Sequence, residues 1–159
     1  VKCSLVIGAA VAALLASPSG AARADPLPPA PDAPCAADVD GALTWPVGAK
    51  APLGCADGRW EPVTDPYPIS AKWASYGPSM TLHGQGRPNP NLLSGVWTAT
   101  PLSPESACSA TQSAVIPGSP TVGPPRVDRA AAGQPLSFDV VPVLFTIEMS
   151  GDCLWQRAD

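Results

Sequence analysis

The sequence predicts a mainly β fold: a small, disulfide-stapled antiparallel β-sandwich or open barrel with an irregular, proline-rich N-terminal half. Three observations carry that prediction. The chain holds 22 prolines in 159 residues, and each fixes φ and removes a backbone donor, which bars helix interiors and central strand positions. Segments of the C-terminal half alternate apolar and polar residues with the period of two that marks a half-buried strand. Four of the five cysteines fall after residue 24 at wide spacings, an even set fit for two disulfides.

Residues 1–24 read as a signal peptide. Lys2 precedes the uncharged run Ser4 to Leu15, which is too short to cross a bilayer as a helix. Pro18 and Gly20 break that run, and Ala22 and Ala24 supply the small side chains a signal peptidase accepts before a cut at Asp25. An uncleaved amphipathic or buried helix is the alternative. Cys3 stands ahead of the apolar run without a lipobox, which argues against a lipid anchor, and no stable membrane span is expected after cleavage. Residues 25–34 (DPLPPAPDAP) form a proline-rich tether of polyproline character, expected to be mobile. Residues 35–159 then have the length of a single β-rich secreted domain with one core.

Within that domain, Ala42 to Trp45 and Pro52 to Cys55 are short extended pieces, and Asp57-Gly58 is a strong hairpin-turn dipeptide before Arg59-Trp60. Residues 61–91 are broken by six prolines and show no clear period; a short helix or turn over Ser70 to Ser75, with Ser70 as cap, is the one regular feature expected there. Leu92 to Thr100 and Ala107 to Ile116 alternate as strands, and Leu136 to Glu148 is the strongest strand signal in the chain. Pro142 interrupts the last of these, which predicts two strands, or one with a bulge or edge position near Val141-Pro142. Pro117 to Gly133 reads as a long connection, Ser150 to Asp152 as a tight turn, and Cys153 to Trp155 as a final strand.

Four mature cysteines allow three pairings. Cys35–Cys55 and Cys108–Cys153 are favoured because each staples one half of the domain locally. Zinc binding needs closer thiolate spacing or histidine ligands, so neither a metal nor another cofactor is expected.

Charge excludes one class of partner. The chain carries nine basic and thirteen acidic residues, net −4, and losing Lys2 and Arg23 with the leader takes it to −6. Nucleic acid and anionic lipid surfaces are bound by clustered Lys and Arg, and here the closest pair, Arg126 and Arg129, has Asp128 between them. Nucleic acid is therefore not an expected partner.

Catalytic signals are weak. His83 is the sole histidine, so any Ser-His or Cys-His arrangement must use it, and no G-x-S-x-G elbow occurs. Gly84-Gln85-Gly86 reads as a turn, since Pro88 and Pro90 follow where a phosphate loop needs a helix with free N–H groups. Glu61 with Asp65, or Glu105 with Glu148, would serve as paired carboxylates, but nothing in the sequence selects them. Asp139 and Glu148 are expected to point outward from their strands.

The aromatic group Trp45, Trp60, Tyr67, Trp73 and Tyr76 is dense for so short a stretch. Exposed, these rings stack on sugars or other partners; buried, they fill a small core, which is the favoured reading of the group. Together with His83 they are the candidate binding residues. Trp97 and Trp155 are expected in the strand core.

The segments SGVWTATP, ACSATQ and LFTIEMSGDCLWQR, with DGALTWPVGAKAPLGCADGRW in front, resemble small exported actinobacterial, especially mycobacterial, proteins of unknown function. Those share a G-x-W/Y-x-T strand, a cysteine-containing strand and a terminal strand ending in C-x-W. The likeness covers most of residues 35–157, and it brings no catalytic residues. The function expected is that of an exported, non-enzymatic envelope or extracellular protein acting by binding or structural contact with a glycan, lipid or protein. The alternative is a small envelope hydrolase using His83 and a carboxylate.

Overall fold

The structure, a computed structural model, describes residues 28–158. The predicted leader and the first residues of the tether lie outside the described residues. Eleven strands follow in order: β1 (Leu43–Thr44), β2 (Leu53–Ala56), β3 (Arg59–Pro62), β4 (Lys72–Ser75), β5 (Met80–His83), β6 (Gly95–Pro101), β7 (Ser109–Ala114), β8 (Arg126–Arg129), β9 (Leu136–Val140), β10 (Leu144–Ser150) and β11 (Cys153–Arg157). The only helical feature among the described residues is a 3₁₀ turn at Ala37–Val39.

The strands form two sheets, ordered β3-β2-β1-β4-β11-β6-β9 and β5-β10-β7-β8. All strand pairs are antiparallel except β1 with β4, where Leu43 lies opposite Trp73. Of the two predicted forms, the sandwich is the one adopted. Asp57 (φ 49°) and Gly58 (φ 76°) close the β2–β3 hairpin with both central residues left-handed, the geometry that a right-twisted two-residue hairpin requires.

Pro142 does more than interrupt a strand. β9 ends before it in the seven-stranded sheet and β10 begins after it in the four-stranded one, with Leu144 N–H donating to Val141 O at 3.1 Å across the corner. The chain changes sheet where it cannot supply a ladder donor. It changes back at Ser150 to Asp152, where Gly151 adopts φ 91° and an added Cβ would collide with Ala107 O.

Both predicted disulfides are present, each with Cα atoms 6.0 Å apart, as chains formed in an oxidising compartment carry them. Cys108, just before β7, and Cys153, opening β11, join the two sheets. Cys35 and Cys55 join the segment before the 3₁₀ turn to β2.

The main core lies between the sheets, with Trp73, Trp97, Trp155, Leu82, Leu92, Leu144, Ile147 and Met149 fully buried. A second, smaller core of Val39, Ala42, Leu53, Cys55, Trp60, Ala74 and Leu154 belongs to the N-terminal unit. β4 and β11 feed both cores: Trp73 and Trp155 enter one and the adjacent Ala74 and Leu154 enter the other, as side chains alternating across a strand must. Asp139 and Glu148 face solvent, as expected.

Three expectations need correction. Of the helix or turn expected over Ser70 to Ser75, only a turn at Ser70 forms, its hydroxyl accepting from Lys72 N–H at 3.0 Å, and Lys72–Ser75 are the strand β4. The Pro117–Gly133 connection contains β8, a charged edge strand. The tether, over its described part, is docked rather than mobile. Asp32 N–H donates to Trp60 O (2.8 Å), Trp60 N–H to Ala33 O (2.9 Å) and Cys35 N–H to Gly58 O (2.9 Å). The Arg59 guanidinium adds a bond to Asp32 O at 2.8 Å. Residues that keep an N–H are interspersed with prolines there, so the segment can cover the β3 edge, a sheet position that tolerates proline.

Candidate functional site

β1 runs into a five-residue loop, Trp45-Pro46-Val47-Gly48-Ala49, that organises the candidate site. Ala49 N–H donates to Pro46 O at 3.0 Å and Gly48 takes φ 78°, which fits a type II turn with glycine at its third position. Val47, at the tip, is 74% exposed. The Trp45 indole N–H donates to Ala49 O at 3.1 Å, and its backbone N–H points at the Met80 sulfur at 3.3 Å. The half-buried indole is thereby fixed against its own loop with its polar atom satisfied.

Two clefts flank this loop and share Trp45, Pro46, Val47 and Met80. The larger, about 550 Å³, is lined further by Tyr76, Pro78, Pro28, Pro29 and Asp152. The smaller, about 370 Å³, is lined further by Tyr67, Ser79, Thr81, His83 and Asn91. Tyr67 is 47% exposed, and its backbone N–H is held by the Asp65 carboxylate at 2.9 Å.

Tyr76 packs edge-on against Trp60, ring centroids 6.1 Å apart. Burial, with Asp38 and then Asp152 nearby, pushes its hydroxyl up to about 12, so it stays protonated and able to donate at all ordinary pH values.

His83 ends β5. Its N–H donates to Asn91 Oδ1 (3.0 Å) and its carbonyl accepts from Asn91 N–H (2.8 Å). The buried Asn91 in turn reaches Pro68 O through Nδ2 at 3.4 Å and accepts Ser70 N–H on its own carbonyl at 2.9 Å. One buried amide thus ties the end of β5 to the segment bearing Tyr67. The His83 Nδ1 is buried without a hydrogen-bond partner. Burial and then the Arg87 guanidinium, itself 4.9 Å from the centre of the Phe145 ring, lower the histidine pKa below its ordinary 6.5, with the Asn89 backbone working the other way.

No family model, characterised protein or solved structure is found to match the chain. The site's chemistry therefore rests on its own geometry.

Of the six candidate residues, Trp45, Tyr67, Tyr76 and His83 converge on the loop and its two clefts. Trp60 and Trp73 do not: at 2% and 0% exposure they are core residues, one in each core. Neither Asp nor Glu lines the cleft that holds His83. The glycines after it serve packing, because a Cβ on Gly84 or Gly86 would collide with Leu144 of β10. Val47, Pro78, Pro28, Pro29 and Asp152 escaped the sequence reading. The signal for Val47 was available in the turn tripeptide Pro46-Val47-Gly48; none marked the others, which reach the cleft through tertiary packing.

Proposed function

We propose that the protein is an exported envelope or extracellular binding domain that holds its ligand on the aromatic surface around the Trp45–Ala49 loop. The observation that carries the reading is the loop itself: a fixed, half-buried indole two residues before an exposed Val47, with Tyr76 lining one adjoining cleft and Tyr67 the other. Rigid aromatic rings with satisfied polar ends bind at low entropic cost, and exposed apolar clusters of this kind mark interaction sites. Export is supported by the leader-like residues 1–24 and by the two disulfides.

The test is capture of envelope glycans, lipids and proteins by the purified protein and by a Trp45→Ala/Tyr67→Ala variant that melts as the parent does. Loss of capture in the variant is expected, and undiminished capture would overturn the reading. The hydrolase alternative has less support, since the His83 cleft lacks a carboxylate in its lining.

A further inference from the structure

Two prolines of the N-terminal segment already line the larger cleft, just before that segment turns at Pro31-Asp32, where Ala33 N–H donates to Ala30 O at 3.0 Å and Asp32 takes φ 65°. Pro28 and Pro29 line the cleft together with Tyr76, Gly77 and Pro78, and Pro29 is buried although its segment has the composition of a solvated polyproline stretch. Pro29 also borders the neighbouring surface of Pro31, Pro46 and Pro52, so the segment and the Trp45 loop line two adjoining hollows together. Polyproline II strands have no internal hydrogen bonds and are stiff before they bind. Grooves lined by aromatic and proline rings recognise them by packing, with little ordering cost.

Charge adds a second constraint. Asp152 lines the same cleft, its Oδ1 accepting from Gly77 N–H at 2.8 Å, and no cation pairs with it among the described residues. The lining of an otherwise apolar cleft thus carries one carboxylate that no described cation neutralises, on a chain of net charge −4.

Resting on the binding reading above, we propose that this cleft docks an extended proline-rich segment of a partner protein that carries a lysine or arginine. Its prolines pack between Trp45 and the Tyr76–Pro78 turn, alongside Pro28 and Pro29, and its cation faces Asp152.

The experiment titrates the exported protein with three short synthetic peptides: one proline-rich with a single arginine, one with that arginine replaced by glutamate, and one with serine in place of every proline. Amide chemical shifts of residues 45–49 and 76–78 report binding. The arginine peptide should saturate these shifts, the glutamate peptide should bind about two- to five-fold more weakly, the range of a partly exposed ion pair, and the serine peptide should not saturate. Asp152→Asn, which keeps the Oδ1 acceptor for Gly77, should erase the difference between the first two while leaving proline binding intact. Equal binding of the serine peptide overturns the proposal. So does absence of saturation by any peptide; if envelope capture still depends on Trp45 and Tyr67, the binding reading survives without it. Failure of the peptides together with undiminished capture by the Trp45→Ala/Tyr67→Ala variant removes both.

Discussion

The N-terminal unit and the sandwich proper are held together by different means. Among the described residues, sixteen buried side chains between the sheets, three of them tryptophans, share one continuous core. The N-terminal unit has seven, two of which are borrowed from β4 and β11. What the smaller unit lacks in apolar burial it replaces with a disulfide and with the 32–35 segment laid along β3. The candidate site lies where the two meet, and its clefts are built from the loop after β1, the β4–β5 turn and the proline segment. Recognition surfaces often sit on connecting segments held by a stiffer scaffold, and here the scaffold is the sandwich.

The largest effect should come from the shared core. Trp155 is fully buried, stacks edge-on with Phe138 at 6.0 Å, and donates its indole N–H to the buried Ser75 hydroxyl at 2.8 Å. Trp155→Ala is expected to cost about 3–5 kcal/mol, as large aromatic truncations do, and to lower the urea midpoint of the whole molecule.

The two disulfides sharpen the comparison. In the chain-entropy view, opening the 45-residue loop of Cys108–Cys153 costs about 4 kcal/mol and opening the 20-residue loop of Cys35–Cys55 about 3 kcal/mol. The totals are close, but the locations should differ. A Cys108→Ser/Cys153→Ser variant should speed amide exchange in both sheets together. A Cys35→Ser/Cys55→Ser variant should chiefly expose the N–H groups of Asp32, Gly41 and Trp60, leaving β6 and β11 protected. Identical exchange patterns in the two variants would show that the molecule has one cooperative unit and not two.

A smaller effect is expected at Gln112. This buried side chain donates through Nε2 to Asp139 O (3.0 Å) and Asp128 Oδ2 (3.3 Å) and accepts Val141 N–H on Oε1 at 3.4 Å. It ties β7 to the strand end where the chain changes sheet. Gln112→Ala should cost about 1–3 kcal/mol through the polar groups it strands, measured by chemical denaturation.

The same contrast explains what could be seen in the sequence. The segments Leu136 to Glu148 and Ala107 to Ile116 cross the sandwich with one face inward, so their alternation survived in the residues. β4 buries Trp73 in one core and Ala74 in the other, with Ser75 also buried, and a strand covered on both faces has no alternation to display. β8 fails for the opposite reason, being a mostly exposed, charged edge. The aromatic cluster was recognisable as a group, but the fate of each ring depended on strand face and partner. Trp60 opposite Cys55 and Trp73 opposite Leu43 went inward, while Trp45 stayed half-exposed in a loop. The seat of Pro28 and Pro29 was invisible because it is made by residues distant in the chain.

The smallest predicted effect concerns His83, and it probes the joint between the two regions. Burial of the imidazole, then Arg87, lowers its folded pKa below the ordinary 6.5, so below that pH the unfolded chain binds the proton that the folded one refuses. Stability contributed by neutral His83 is therefore full above about pH 6.5 and is lost as pH falls toward the folded pKa. A His83→Gln variant should remove this part of the acid dependence, reducing the fall in melting temperature between pH 7 and pH 5. Because the β5 backbone is clamped by Asn91 rather than by the imidazole, the variant should keep the parent's stability above pH 7. A variant that instead melts lower at every pH would mean that the imidazole itself, and not the buried amide, holds the end of β5 to the segment carrying Tyr67.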